Sequence, residues 1–139
     1  MGVDDRFARD PRLTVFRRAA ALTRAVEQLR GRGYDVRETD AGRWGDEQGM
    51  HRDLAALLDF PDYYGRNLDA LNDCMGEVAA GAYGVLPGAT GLVLVLRHFD
   101  AFAAGHRYAA SQLLDIVTGW AAEEARHDRQ LLCLVESAS

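Results

Sequence analysis

Leu92-Val-Leu-Val-Leu96 is an unbroken apolar run with no polar alternation. A strand with one wet face alternates, whereas a continuous run of this length is the mark of a strand buried on both faces. It reads as the central strand of a sheet. Two further segments read as strands: Tyr34-Asp-Val-Arg-Glu-Thr39, which alternates, and Gln130-Leu-Leu-Cys-Leu-Val-Glu136. Helical patterns lie around them. Thr14 to Arg30 places Val15, Ala19, Leu22, Val26 and Leu29 at helical spacing and stops at Gly31 and Gly33, predicting an amphipathic leading helix. A second helix runs from Asp46 or Glu47 to Leu58 on Met50, Leu54, Leu57 and Leu58, a third from Asn67 to about Ala80, and a long one from about His106 to Arg126. Strands separated by helices predict an α/β fold with a small parallel sheet.

The 139 residues, 48% of them hydrophobic, suit one well-buried core. Met1–Asp10 carries Asp4, Asp5, Arg6, Arg9 and Asp10 and so has no apolar signal region, and nowhere do eighteen apolar residues run together. The expectation is a cytoplasmic protein. Cys74 and Cys133 fit neither a disulfide framework nor a zinc site, and His51, His98, His106 and His127 lack the mutual spacing of metal ligands. Trp44 and Trp120 read as buried anchors.

The net charge of −5 is localised. Residues 53–77 hold six acids, Asp53, Asp59, Asp62, Asp69, Asp73 and Glu77, against Arg66, while the rest of the chain balances. Such a patch repels nucleic acid and anionic membranes and attracts a basic partner. The break before the third helix is Phe60-Pro-Asp-Tyr-Tyr-Gly65. The residue before a proline is pushed out of the helical region, glycine permits a turn, and Asn67 is a good N-cap. From Leu68, a step of about 100° per residue places Leu68, Leu71, Met75 and Val78 on the core side. Asp69, Asp73 and Glu77 follow one another at i, i+4 on the solvent side. Like charges at that spacing cost an isolated helix about 0.2–0.5 kcal/mol per pair, and no arginine at adjacent helical spacing relieves them. A row that the helix itself disfavours suits a cationic partner.

Phe60-Pro-Asp-Tyr-Tyr-Gly-Arg-Asn-Leu-Asp-Ala-Leu-Asn-Asp-Cys74 closely resembles the inhibitory loop and helix of the barstar family, and Leu92–Phe99 is similar to that family's following strand. The resemblance covers about residues 34–136. It implies a three-stranded parallel sheet packed by helices, with residues 1–33 as an N-terminal extension whose helix is additional and packs on the 34–139 domain. It also implies an intracellular protein, bacterial by kinship, that plugs the active site of a basic secreted ribonuclease of the barnase type, with no cofactor and no enzymatic activity of its own. By position, Tyr63 would pack on the partner, and Asp69, Asn72, Asp73 and Glu77 would line the contact. Asp73 would mimic a substrate phosphate against the enzyme's cations. Gly65 would supply a backbone turn and Asn67 the cap. Tyr64 reads as core. The family's prototype has a tryptophan where this chain has Asn72, and its acid from the long helix corresponds to Gly119 or Ala122, with Glu123 nearby.

Two other readings compete. Asp69, Asp73 and Glu77 could hold a hydrated divalent metal in an enzyme, although no His-x-x-x-His, Gly-rich phosphate loop or Gly-x-Ser-x-Gly accompanies them. Alternatively, a barstar-fold interaction module or immunity protein could bind a different toxin or regulator. The expected assembly is a monomer or weak homodimer, because the leading helix could pack on its own domain or on a second copy.

Overall fold

A computed structural model describes residues 12–138; the reading of Met1–Asp10 lies outside them. The elements are β1 (Leu13–Phe16), α1 (Ala19–Gly31), β2 (Asp35–Asp40), α2 (Glu47–Leu57), α3 (Leu68–Ala79), β3 (Leu92–Arg97), α4 (Phe99–Gly105), α5 (Arg107–Ala125) and β4 (Leu131–Glu136), with a 3-10 turn at Ala41–Arg43. The sheet order is β1-β4-β3-β2 and every pairing is parallel. Leu94 at the middle of β3 pairs with Arg37 on one side and Cys133 on the other. The α/β class and the parallel sheet are as the sequence predicts, but the sheet has four strands where three were expected.

The extra strand comes from the segment read as the start of the leading helix. Leu13 and Val15 are buried while Thr14 and Phe16 are half-buried, so the local period is two. Leu13 pairs with Cys133 and Phe16 with Glu136, at the open edge of β4. Arg17 and Arg18 then turn the chain, and α1 begins at Ala19 with no side-chain cap. Val15 and Ala19 happen to sit at helical spacing with Leu22 and Val26, which hides the change of period. A second difference lies before α5, where α4 occupies residues left unassigned by the sequence pattern. His98 adopts a left-handed conformation, φ 53°, at the N-cap of α4 and redirects the chain out of β3.

Side chains on β3 alternate between two cores. Leu92, Leu94 and Leu96 join β4's Leu131, Cys133 and Val135, β1's Leu13 and Val15, and the apolar faces of α2 to α5. Val93 and Val95 point the other way, where α1 covers them with Leu22 and Val26. Both faces of β3 are thus dry, as its composition requires. Both cysteines are buried free thiols, and burial pushes the Cys133 thiol up to about 12. Among the described residues no helix is long and apolar enough to cross a membrane.

The carboxyl ends of β2, β3 and β4 are tied together at His98. Its Nδ1 lies 2.9 Å from Asp40 Oδ1, its backbone N–H donates to Glu136 Oε1 at 3.2 Å, and its Nε2 lies 3.9 Å from the same oxygen. The hydrogen bond to Asp40 is the largest of the effects that raise the His98 pKa, followed by the charges of Asp40, Glu136 and Asp100. A raised pKa means that the folded state holds the proton more tightly, so the added stability is complete below the unfolded value near 6.5 and is lost as pH rises through the folded value. His98→Asn keeps a residue tolerant of the left-handed region but removes the titration. The wild-type advantage over this variant in urea midpoint should shrink from pH 5.5 to pH 8. A difference independent of pH would remove His98 from the linkage.

Candidate partner-binding site

The segment between α2 and α3 is held from beneath by a buried polar relay. His51 on α2 is fully buried, with Nε2 3.1 Å from Glu47 Oε2 and Nδ1 2.5 Å from Tyr64 Oη. With Nε2–H donated to the carboxylate, Nδ1 is left to accept the tyrosine hydroxyl proton. Tyr64 packs edge-on against Phe60 with ring centroids 4.7 Å apart. Burial raises its phenol pKa well above the usual tyrosine range, so it stays a donor. This relay was not legible in the sequence, because Glu47 and His51 sit at an ordinary i, i+4 spacing and Tyr64 lies in another segment.

Anchoring Tyr64 inward turns its neighbour outward. Tyr63 is 76% exposed, the most exposed large apolar side chain among the described residues. The following turn places its left-handed residue at Arg66, φ 55°, and not at Gly65. A methyl group at Gly65 would meet the Ala70 methyl at an ordinary 3.5 Å; the backbone role expected of Gly65 belongs to Arg66. Gln48 steadies the turn by donating to the Arg66 carbonyl at 3.3 Å. Asn67 caps α3, its Oδ1 accepting the Ala70 N–H at 2.8 Å.

On α3 the helical phase holds. Leu71, Met75 and Val78 are buried, Leu68 is half-buried, and Asp69, Asn72, Asp73 and Glu77 face outward. Cys74 is also buried, which the four-residue apolar stripe had not included. The carboxylates of Asp69 and Asp73 make no hydrogen bond or ion pair among the described residues. Glu77 differs, since it accepts a 2.6 Å hydrogen bond from the Tyr83 hydroxyl. Burial and that bond raise the Tyr83 pKa far above the usual phenol range. One member of the acid row is therefore relieved by a partner that no helical spacing could reveal.

An open groove of about 730 Å³ is lined by Tyr63, Gly65, Asp73 and Glu77 together with Ala70, Cys74, Gly76 and Trp120 of α5. Asp69 lies outside it. Asn72 borders a second groove with Asp115, Gly119, Trp120 and Glu123; of the two positions considered for an acid from the long helix, Gly119 lines this groove and Ala122 does not. Glu123 has loose ion pairs with His127 at 3.6 Å and Arg126 at 3.9 Å. Trp44 is the buried anchor expected, packed edge-on against Phe102. Trp120 is only half-buried and borders both grooves.

An exposed aromatic residue thus stands beside carboxylates on the outer face of α3. Among the described residues no group of three or more His, Cys, Asp or Glu is placed to hold a metal ion. The class is therefore an α/β domain that presents an acidic loop-helix surface. Residues 34–136 match the family described as Barstar (barnase inhibitor), and the chain belongs to that family. Over 52 residues it is 54% identical to the Bacillus subtilis (strain 168) protein named "Putative ribonuclease inhibitor YrdF". That overlap covers 37% of this chain and 46% of the relative, so the chain spans about half of that protein's length.

Two stability measurements follow. Leu71→Ala should cost about 2–5 kcal/mol as a core cavity, and Asp73→Ala less than about 1 kcal/mol; denaturant melts giving equal losses would contradict the placement of the two faces. Tyr64→Phe deletes the hydroxyl and leaves the buried His51 Nδ1 without its donor, so it should cost about 1–3 kcal/mol. A neutral Tyr64→Phe melt would show that the relay does not hold the loop.

Proposed function

We propose that this protein inhibits a basic, secreted ribonuclease inside the cell that makes it, covering the active site with the Tyr63 loop and the outer face of α3. Asp73 takes the place of a substrate phosphate, its carboxylate meeting the arginine, lysine or histidine side chains that would bind that phosphate. The observation that carries this reading is the pairing, in one open groove, of an unpartnered Asp73 with a 76% exposed Tyr63. Family membership and the name of the Bacillus subtilis relative support it. The proposal includes no catalytic activity of the chain itself and no cofactor.

The carboxylate has a physical reason to be unpaired. An acid already bonded within its own chain must give up that bond to serve a partner, whereas Asp73 exchanges only water. Asp69, at the start of α3, is stabilised by the helix dipole and lies off the groove, so its contribution is long-range attraction more than contact. Glu77 is in the groove but tied to Tyr83. The order of importance is then Asp73 first, Asp69 and Glu77 after it.

Calorimetry with a secreted ribonuclease of the barnase type should show one-to-one binding and competition with RNA. Asp73→Ala should weaken binding by more than about 2 kcal/mol, a magnitude for which the barnase–barstar complex is itself a source. Asp69→Ala should weaken it less and Glu77→Ala least. The association rate should fall steeply with salt, as screening shortens the reach of the acidic patch to about 8 Å at physiological ionic strength. An unchanged affinity for Asp73→Ala would sink the phosphate-mimic mechanism even if a complex formed.

A further inference from the structure

Trp120 has an environment that core packing alone does not explain. Its indole N–H donates to two acceptors of one residue on another helix, the Asn72 backbone carbonyl at 2.9 Å and the Asn72 side-chain oxygen at 3.1 Å. The six-membered part of the ring lies over Gly76. A methyl group there would come within 2.7 Å of Cζ2 and 2.9 Å of Cε2. Glycine in the middle of a helix is unfavourable relative to alanine, and here the missing side chain is the seat of the ring. Asn72, Gly76 and Trp120 thus form a latch between α3 and α5. The latched indole is nevertheless half-buried and borders both grooves described above.

We infer that Trp120 is the aromatic anchor of the partner-binding face, and that the partner's footprint extends from α3 across this ring onto α5. The inference rests on the inhibitor reading and adds to it a specificity-determining residue on a different helix. A large aromatic ring fixed by its own N–H loses little freedom on binding, which is what makes tryptophan effective at the centre of interfaces. The surroundings select the occupant. Asp73 and Glu77 share one groove with the ring and Asp115 and Glu123 share the other, and the carboxylates of Asp73 and Asp115 have no partner among the described residues. The complementary surface is a basic protein face that lays the stem of an arginine or lysine on the indole, with its charge between the carboxylates. Asn72 acts through Trp120, as a positioning residue whose amide oxygen and carbonyl set the ring's angle.

The chain has two tryptophans, so protein labelled with 5-fluorotryptophan gives two fluorine resonances, assigned by Trp120→Phe. Adding unlabelled barnase, or other basic secreted microbial ribonucleases, should move the Trp120 resonance and leave that of the buried Trp44 in place. Trp120→Ala should weaken binding about tenfold or more, and Trp120→Phe, which keeps a ring as a folded control, should weaken it by clearly less. Thermal melts would show whether each variant is folded. If Asp73→Ala abolishes binding while Trp120→Ala binds like the wild type and the Trp120 resonance does not move, the anchor is wrong and the inhibitor reading stands. If the wild-type chain binds none of these ribonucleases, both fall together.

Discussion

The dryness of β3 on both faces is the constraint from which the rest of the architecture follows. A strand in which Leu92, Leu94 and Leu96 face one way and Val93 and Val95 the other cannot sit at the surface of a two-layer domain. It needs parallel neighbours on both edges and helices on both sides. Four helices cover the leucine side. The valine side depends on α1, which precedes the residues matched to the family. Among the described residues before 34, Leu13 and Val15 of β1 and Leu22 and Val26 of α1 are therefore part of this domain's core.

The same division of labour places the site. Because α3 and α5 both pack on the leucine side, the outer face of α3 and a flank of α5 emerge side by side, with the Tyr63 loop at one end. Burial of Tyr64 against Phe60 and His51 turns Tyr63 into water. The groove lies between the Tyr63 loop, α3 and the Trp120 ring seated over Gly76, and its acids come from the face of α3 that the core does not use. The proposed contact is made of side chains released from packing, beside neighbours that are buried.

Most of the fold was legible because its signals are local and periodic. The run at Leu92–Leu96, the apolar stripe of Leu71, Met75 and Val78, and the cap at Asn67 each announce themselves within a few residues. β1 was misread because its four residues are too few to establish a period, and because Val15 fell by chance into phase with the helix that follows. Gly65 is the residue expected to supply the turn, since glycine is the default choice there, but the left-handed conformation falls on Arg66. At the site, Tyr63, Asp73 and Glu77 could be placed from sequence. The bonds from Tyr83 to Glu77, from Tyr64 to His51 and from Trp120 to Asn72 could not, because each joins residues that only the fold brings together.

The position of β1 also bears on how the molecule is made. Leu13 pairs with Cys133 and Phe16 with Glu136, so among the described residues the earliest strand has its sole neighbour in the latest one. Closing so long a loop is entropically costly and slow relative to local pairing. During synthesis from the amino end, β1 must wait unpaired while β2 and β3 come together, and it docks only when β4 has emerged. The sheet is thus completed from the inside outward, and a strand made before β2 and β3 is among the last to find its place.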